Sequence, residues 1–502
     1  MQFHPVSGAV GIALMGALSG CASIPPDRGV PAIQKMVDAR SGVEHAWAAG
    51  TGADDRSAAQ LDALLAQPLT VDAAVQVALL HNPQIQTEYA RLGIAQADVF
   101  EAGRISNPTL SLTALHHSGE VTKLDGGLSA SFSELLLLPA RKRFAAGEYQ
   151  RVQDAISAAI LKLGIDTKAA WYQYVGAQQV AQMRSAVAAT AQAASALAAR
   201  FHAAGNISAL QLKLEQAAET QSRLQAVRAN ADAARARSAL SALMGLSGAA
   251  AAWRGEDRLP APLDQDESAD VLRALAREQR LDLAAAQQEV SLREAALDLT
   301  SRYRLLGKVD VGIAGERDSD GSKRRGPSLS LQLPIFSQGQ AEVARSQALL
   351  DQSRAQLKSL ELEIDNTVAL GVDRIAVART IAEDYSTALV PQREAIVART
   401  QEQQNYMLVG VFELLQAKQQ EFDAYQGYLE AVRDYWLARV ELTRAVGARL
   451  PSDGMPVLPT IGPEDIVNPP AAAMPPMQHG EHKHGAAPEH AETPHDHHGG
   501  AR

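Results

Sequence analysis

The chain has 502 residues, enough for two or three ordinary domains or for one large repeated architecture. Hydrophobic residues make up 46% but aromatic residues only 4%, and much of the apolar share is alanine, the best helix former, so the composition suits long, closely packed helices. A formal net charge of −10 argues against nucleic acid as a partner, and the single cysteine, Cys21, excludes an intrachain disulfide.

In chain order, residues 1–20 are predicted to be a lipoprotein signal peptide. The apolar run Gly8 to Gly20 is shorter than the roughly 18–20 residues that span a bilayer as a helix. It ends at Leu18-Ser19-Gly20-Cys21, which resembles a bacterial lipobox, cut before the cysteine and lipidated on it. Ala22 after the cysteine implies sorting to the outer membrane. Met1 to Ser7 carry no Lys or Arg, unlike a usual export signal, and an ordinary cleavage site with a chance cysteine is the alternative. Residues 21–68 are read as an N-terminal linker.

A first repeat is expected over 69–247. Val71, Ala74, Val75, Ala78 and Leu79 recur at helical spacing, capped by Thr70 or Asp72 and interrupted at Asn82-Pro83. Apolar–polar alternation then predicts strands at about 108–116 and 126–134. No proline occurs between Pro139 and Pro260, so a helix from Ala140 to Ala204 would be about 100 Å long, turning at Gly205-Asn206 and returning to Gly245. Residues 248–266 link this to a second repeat over 267–450. Its strands are expected at about 308–316 and 327–335, its long helix from Gln338 to Val409 with a break or kink at Pro391. Gly410 is the expected turn, and Val411 to Val446 the return. At the tips, Phe201, Gly205, Ile207, Leu210 and Gln211 match Tyr406, Gly410, Phe412, Leu415 and Gln416, all 205 positions apart. Further on, Ala236-Arg237, Leu240 and Gly245 match Ala438-Arg439, Leu442 and Gly447 at 202, so the second copy is expected to lack three residues beyond its tip.

The strand pattern is that of a membrane barrel with one side in lipid and one in water. Four strands cannot close a barrel, and open edges are not tolerated in hydrocarbon, so several chains must share one. Two copies give eight strands, which leave room only for side chains; three copies give about twelve, enough for a channel. Helices this long also need neighbours along their whole length, which a barrel of helices supplies.

The region 69–450 resembles the TolC-like outer-membrane efflux factors. The resemblance is carried by Leu69-Thr70-Val71-Asp72-Ala73-Ala74 with Asn82-Pro83, by Asn107-Pro108-Thr109-Leu110-Ser111-Leu112, and by Gly326-Pro327-Ser328-Leu329-Ser330-Leu331-Gln332-Leu333-Pro334-Ile335-Phe336 with Gly339. It implies a mainly α fold with a small membrane β-barrel. Duplicated helical hairpins would form a periplasmic α-barrel, and four strands per chain would complete a trimeric 12-stranded β-barrel. It further implies a homotrimer whose periplasmic tip turns, at Gly205, Gly410 and Glu413, dock onto a periplasmic adaptor (membrane fusion) protein served by an inner-membrane RND-type pump. Family channels often close at the tips with acidic rings; here Gln211 and Gln416 stand at those positions, with Glu413 the nearest carboxylate of the second tip. Neither the residues nor the resemblance points to an enzyme or a cofactor.

Residues 451–502 are Pro-rich and then His-rich, a composition for extended, disordered chain. His479, His482, His484, His490, His495, His497 and His498, mixed with acidic residues, suit divalent Zn, Cu or Ni without fixing a geometry. The expected function is thus a passive outer-membrane conduit exporting heavy-metal cations (Cu/Ag or Zn/Cd/Co/Ni). The same channel exporting drugs or organic compounds is the alternative, and a periplasmic coiled-coil adaptor or metal-binding lipoprotein is an alternative of another class. Trp171, Tyr172 and Tyr174 are expected to pack between helices, and Lys323-Arg324-Arg325 to form a solvated or lipopolysaccharide-facing loop tip.

Overall fold

The computed structural model describes residues 29–43, 53–117, 120–318, 320–454 and 458–462. Two short helices, α1 (Val30–Ser41) and α2 (Ala53–Leu65), precede the first repeat. That repeat runs α3 (Val71–His81), α4 (Pro83–Ala102), β1 (Thr109–His117), β2 (Glu120–Ser131), α5 (Phe132–Ala203) and α6 (Ala209–Leu243). The second runs α7 (Ala269–Gln279), α8 (Leu281–Tyr303), β3 (Val309–Arg317), β4 (Lys323–Leu331), α9 (Gln340–Asp384), α10 (Val390–Asn405) and α11 (Val411–Val446). The fold is mainly α with one small sheet, as expected.

Local chemistry sets the element ends. Thr70 caps α3 by accepting from the Ala73 N–H at 3.1 Å. Asn82 caps α4, accepting from the Gln84 N–H at 2.8 Å, while Pro83 takes the first helical position, where its missing N–H costs nothing. The break at Asn82-Pro83 thus separates two helices. Arg280 breaks the second repeat in the same backbone conformation, φ −69° at both residues.

Along the long helices one expectation is corrected, the start of the first, and one is borne out, the break of the second at Pro391. α5 begins at Phe132 and runs through Pro139, so strand β2 ends at Ser131 and the helix is 72 residues, about 108 Å. Proline forfeits one backbone hydrogen bond near the helix start, and the Leu135–Leu138 run carries the helix across it. In the second repeat the long helix divides. A π-helical segment, Tyr385–Leu389, lies between α9 and α10, just before Pro391. The displaced Tyr385 ring is accommodated by Gly427 of α11, where an added Cβ would lie 2.5 Å from it.

The long helices pack in the order α6, α5, α11, then α9 with α10. The main core lies where both repeats meet. There Trp171 and Tyr172 of α5 and Tyr435 and Trp436 of α11 are almost fully buried, with Tyr172 stacked on Trp436 at 5.2 Å. Tyr174 packs edge-on against Trp253 at 4.9 Å, so the three aromatics of α5 sit between elements as expected. The four strands form one antiparallel sheet in the order β1-β2-β3-β4.

Candidate functional site

The sheet is the first functional element. Directly paired residues of antiparallel strands share a face. Leu110, Leu128, Ile313 and Pro327 therefore form one row across all four strands, and Val311 with Leu329 and Val309 with Leu331 continue it. The opposite face carries Thr109, Ser129, Gly312 and Ser328 in one row and Thr113, Asp125, Glu316 and Arg324 in another. On the apolar face Leu110 is 67% exposed, Ile313 66% and Leu329 71%. A large bare apolar face backed by a polar one is what a wall between lipid and water requires. The strand positions differ modestly from expectation: β2 reaches out to Glu120 and β4 to Lys323, because the ladder continues through the polar residues Lys123 and Arg317. The outer strands β1 and β4 each leave one edge unpaired within the chain.

The helical tips are the second element. Gly205 follows α5 in the left-handed region at φ 78°, and Met407 does the same after α10 at φ 60°. Asn206 N–H donates to the Phe201 carbonyl and Leu408 N–H to the Gln403 carbonyl, both at 2.9 Å, and Ser208 and Gly410 stand at the caps of α6 and α11. Every one of these pairs is 202 positions apart. The expected alignment of Gly205 with Gly410, and the three-residue loss derived from it, are therefore wrong. The offset of 202 that joins Arg237 to Arg439 holds through the tips. Gly410 is extended at φ −80°, and Met407 occupies the left-handed place. Glu413, in the first turn of α11, is then the counterpart of Gln211. Phe201 and Phe412, edge-to-face at 6.4 Å, hold the two tips together. Between α5, α6 and α11 near the tips lies a groove of about 610 Å³ bordered by Gln211, Glu215, Gly410, Glu413 and Gln416. At its inner end burial pushes the Glu421 carboxyl up, opposed by the Lys418 ammonium beside it.

A third feature went unseen in the sequence. Arg439, 2% exposed, donates to Asp453 at 2.7 Å and to Ser452 at 2.8 Å, and pairs with Asp266, which also pairs with Arg379 of α9. Lys168 of α5 reaches Asp453 at 3.3 Å. Burial would raise the Asp453 carboxyl, but Lys168 and the Arg439 hydrogen bond outweigh it and hold it below the usual range. The repeat-matched Arg237 likewise donates to the Ala251 carbonyl at 2.9 Å and lies 4.2 Å above the Trp253 ring. Each arginine thus clasps the segment that follows its own repeat. The shared Ala-Arg pair at 236–237 and 438–439 was the only signal, and its meaning needed the fold.

Cys21 and the seven tail histidines lie outside the described residues. Among the described residues no group of three or more His, Cys, Asp or Glu side chains is arranged to hold a metal ion, and no helix is long and apolar enough to cross a membrane.

No protein-family model matches the chain. In sequence it is 26% identical over 310 residues to Protein CyaE of Bordetella pertussis, a match covering 56% of this chain and 65% of that protein, just under two thirds of its length. In structure it is similar to a membrane protein from Pseudomonas aeruginosa at TM-score 0.63 and 19% identity, covering 78% of this chain and 94% of that one. The outer membrane protein VceC of Vibrio cholerae superposes at TM-score 0.61 and 16% identity, with coverage of 78% and 96%. The Campylobacter jejuni CmeC outer membrane channel superposes at 0.60 and 16%, with coverage of 80% and 89%. The chain therefore has the TolC-like fold of these outer-membrane channels.

Proposed function

We propose that this chain is the outer-membrane channel of a tripartite efflux pump, a homotrimeric passive conduit that exports heavy-metal cations. The observation that carries the channel reading is the four-stranded sheet, apolar on one face, polar on the other and open at both edges, continuous with a helix of 72 residues, about 108 Å long. Open edges in hydrocarbon demand partners, and further copies of the same chain supply β4-to-β1 pairing. The outer helices support the same closure: α6 exposes Leu210, Leu214, Leu224 and Val227, and α9 exposes Leu362, Leu370, Val377 and Ile381. In this reading the sheet lies in the outer membrane and the helices cross the periplasm. The tips at Gly205, Met407, Gly410 and Glu413 meet a periplasmic adaptor bound to an inner-membrane RND-type pump. Cys21 anchors the N-terminus through lipid.

Metal as cargo rests on the seven histidines between His479 and His498, which would capture divalent cations close to the pump. The test is tolerance in cells. Deleting the protein should sharply lower tolerance to at least one of Cu, Ag, Zn, Cd, Co or Ni, and removing only residues 470–502 should lower it modestly. Unchanged metal tolerance with new sensitivity to dyes or antibiotics would assign the channel to organic compounds instead.

A further inference from the structure

The sheet register separates the basic run at 323–325 into two faces. Arg324 pairs with Glu316 on the polar face, where Lys123 also meets Glu316 at 2.7 Å. Lys323 pairs directly with Arg317, and Arg325 lies two residues along, so Arg317, Lys323 and Arg325 all stand on the apolar face. Directly opposed side chains on one face lie about 5 Å apart and diagonal ones about 7–8 Å, so the three can converge on one anion. All three are exposed, and among the described residues none is in an ion pair. In the nearby turn the Asp320 carboxylate accepts from the Ser322 N–H at 2.8 Å.

Three unpaired cations on a lipid-facing surface cannot lie in hydrocarbon, so they mark the level of the headgroups. They stand at the end of the sheet away from the helices, since β2 enters α5 at the other end. Beside them the apolar face holds a notch. The row containing Arg325 continues through Gly315 and Gly126 to Leu112, two positions without side chains between a cation and a 71%-exposed leucine. Leu124, Leu128 and Ile313 border it. A free phosphate ion would use the cations alone. A phosphorylated lipid uses both, with phosphate oxygens on Arg317, Lys323 and Arg325 and its apolar part against the notch and the leucines.

We propose that Arg317, Lys323 and Arg325 bind the phosphate of an outer-leaflet lipid on the outside of the barrel. This rests on the outer-membrane channel reading. Full-length protein would be placed in phosphatidylcholine nanodiscs doped with diphosphoryl lipid A, or with lipid A stripped of its phosphates, and retained lipid A counted by native mass spectrometry. Wild type should retain the phosphorylated form preferentially. The triple change Arg317→Gln, Lys323→Gln, Arg325→Gln should weaken retention about tenfold or more, the single Lys323→Gln by less, and Arg324→Gln on the other face not at all. Equal retention by the triple variant, an equal effect of Arg324→Gln, or no preference for phosphate would overturn the proposal while leaving the channel intact. Wild-type protein that does not insert into nanodiscs as an oligomer would overturn the channel reading and this proposal together.

Discussion

Arg439 shows how much a single side chain can organise. It is the hub between α11, the inter-repeat segment at Asp266 and the C-terminal turn at Ser452 and Asp453. Removing one partner of a buried ionic network leaves the others uncompensated, so Arg439→Ala should cost about 3–5 kcal/mol, read as a lowered thermal midpoint of the detergent-solubilised protein by circular dichroism. A midpoint equal to wild type would mean the clasp is ornamental to stability. The acid response has a definite sign. The Asp453 carboxyl is held below its ordinary value in the folded protein, so its contribution is present above the unfolded value of about 3.9 and is lost as pH falls below that value. Asp453→Asn should remove that part of the acid sensitivity below about pH 4. The partners in this network lie up to 285 residues apart in sequence, which is why no local pattern revealed them. Cys21 is the opposite case, legible only in the sequence. Its proposed lipidation predicts that a clickable fatty acid labels wild type but not Cys21→Ala; equal labelling would remove the anchor.

The elements were legible where periodicity is strong and hidden where backbone detail decides. Alternation revealed all four strands, because the two faces of the sheet meet different environments and the residue types follow. The helix start at Phe132 was not legible, since it depends on tolerating one broken backbone hydrogen bond at Pro139; the break beside Pro391 was legible, but its π form at Tyr385–Leu389 was not. The tips were misaligned for a chemical reason. Matching glycine to glycine assumes that only glycine takes the left-handed position, whereas Met407 takes it in the second tip. The strand reading makes a sharp prediction about faces. Leu329 lies in the apolar row with Val311, and Ser330 faces Asp310 on the polar side. If Leu329 lies near mid-membrane, Leu329→Arg should cost roughly 2–4 kcal/mol per chain. Ser330→Arg should be mild, because its new cation faces water and Asp310. Folding into bilayers, followed by urea titration, measures both, and equal costs on the two faces would refute the wall between lipid and water.

At the scale of the whole molecule the open questions are how the chain closes and what its tail contributes. The sheet ends in two free edges and the helical layer in two apolar outer faces, on α6 and on α9. These surfaces differ from one another, so in the proposed channel copies would join head to tail in a closed ring. Two copies would leave about eight strands and no passage, and three give about twelve, with a lumen. The solubilised protein should therefore run as a trimer in native mass spectrometry. Val377→Glu on the exposed face of α9 should weaken that trimer without unfolding the chain, since Val377 is 60% exposed within the protomer. Helical content by circular dichroism separates the two effects. Residues 470–502 follow α11, which ends at Val446. Their deletion should leave the trimer intact, while the isolated effect of the histidines appears only as metal binding. Neutral imidazole binds metal and its ordinary pKa is about 6.5, so full-length protein should bind Zn or Cu at neutral pH and release most of it near pH 5. The deletion variant should bind little at either pH. A stable monomer or dimer would sink the closure argument, and equal metal binding with and without the tail would move the metal site elsewhere in the chain.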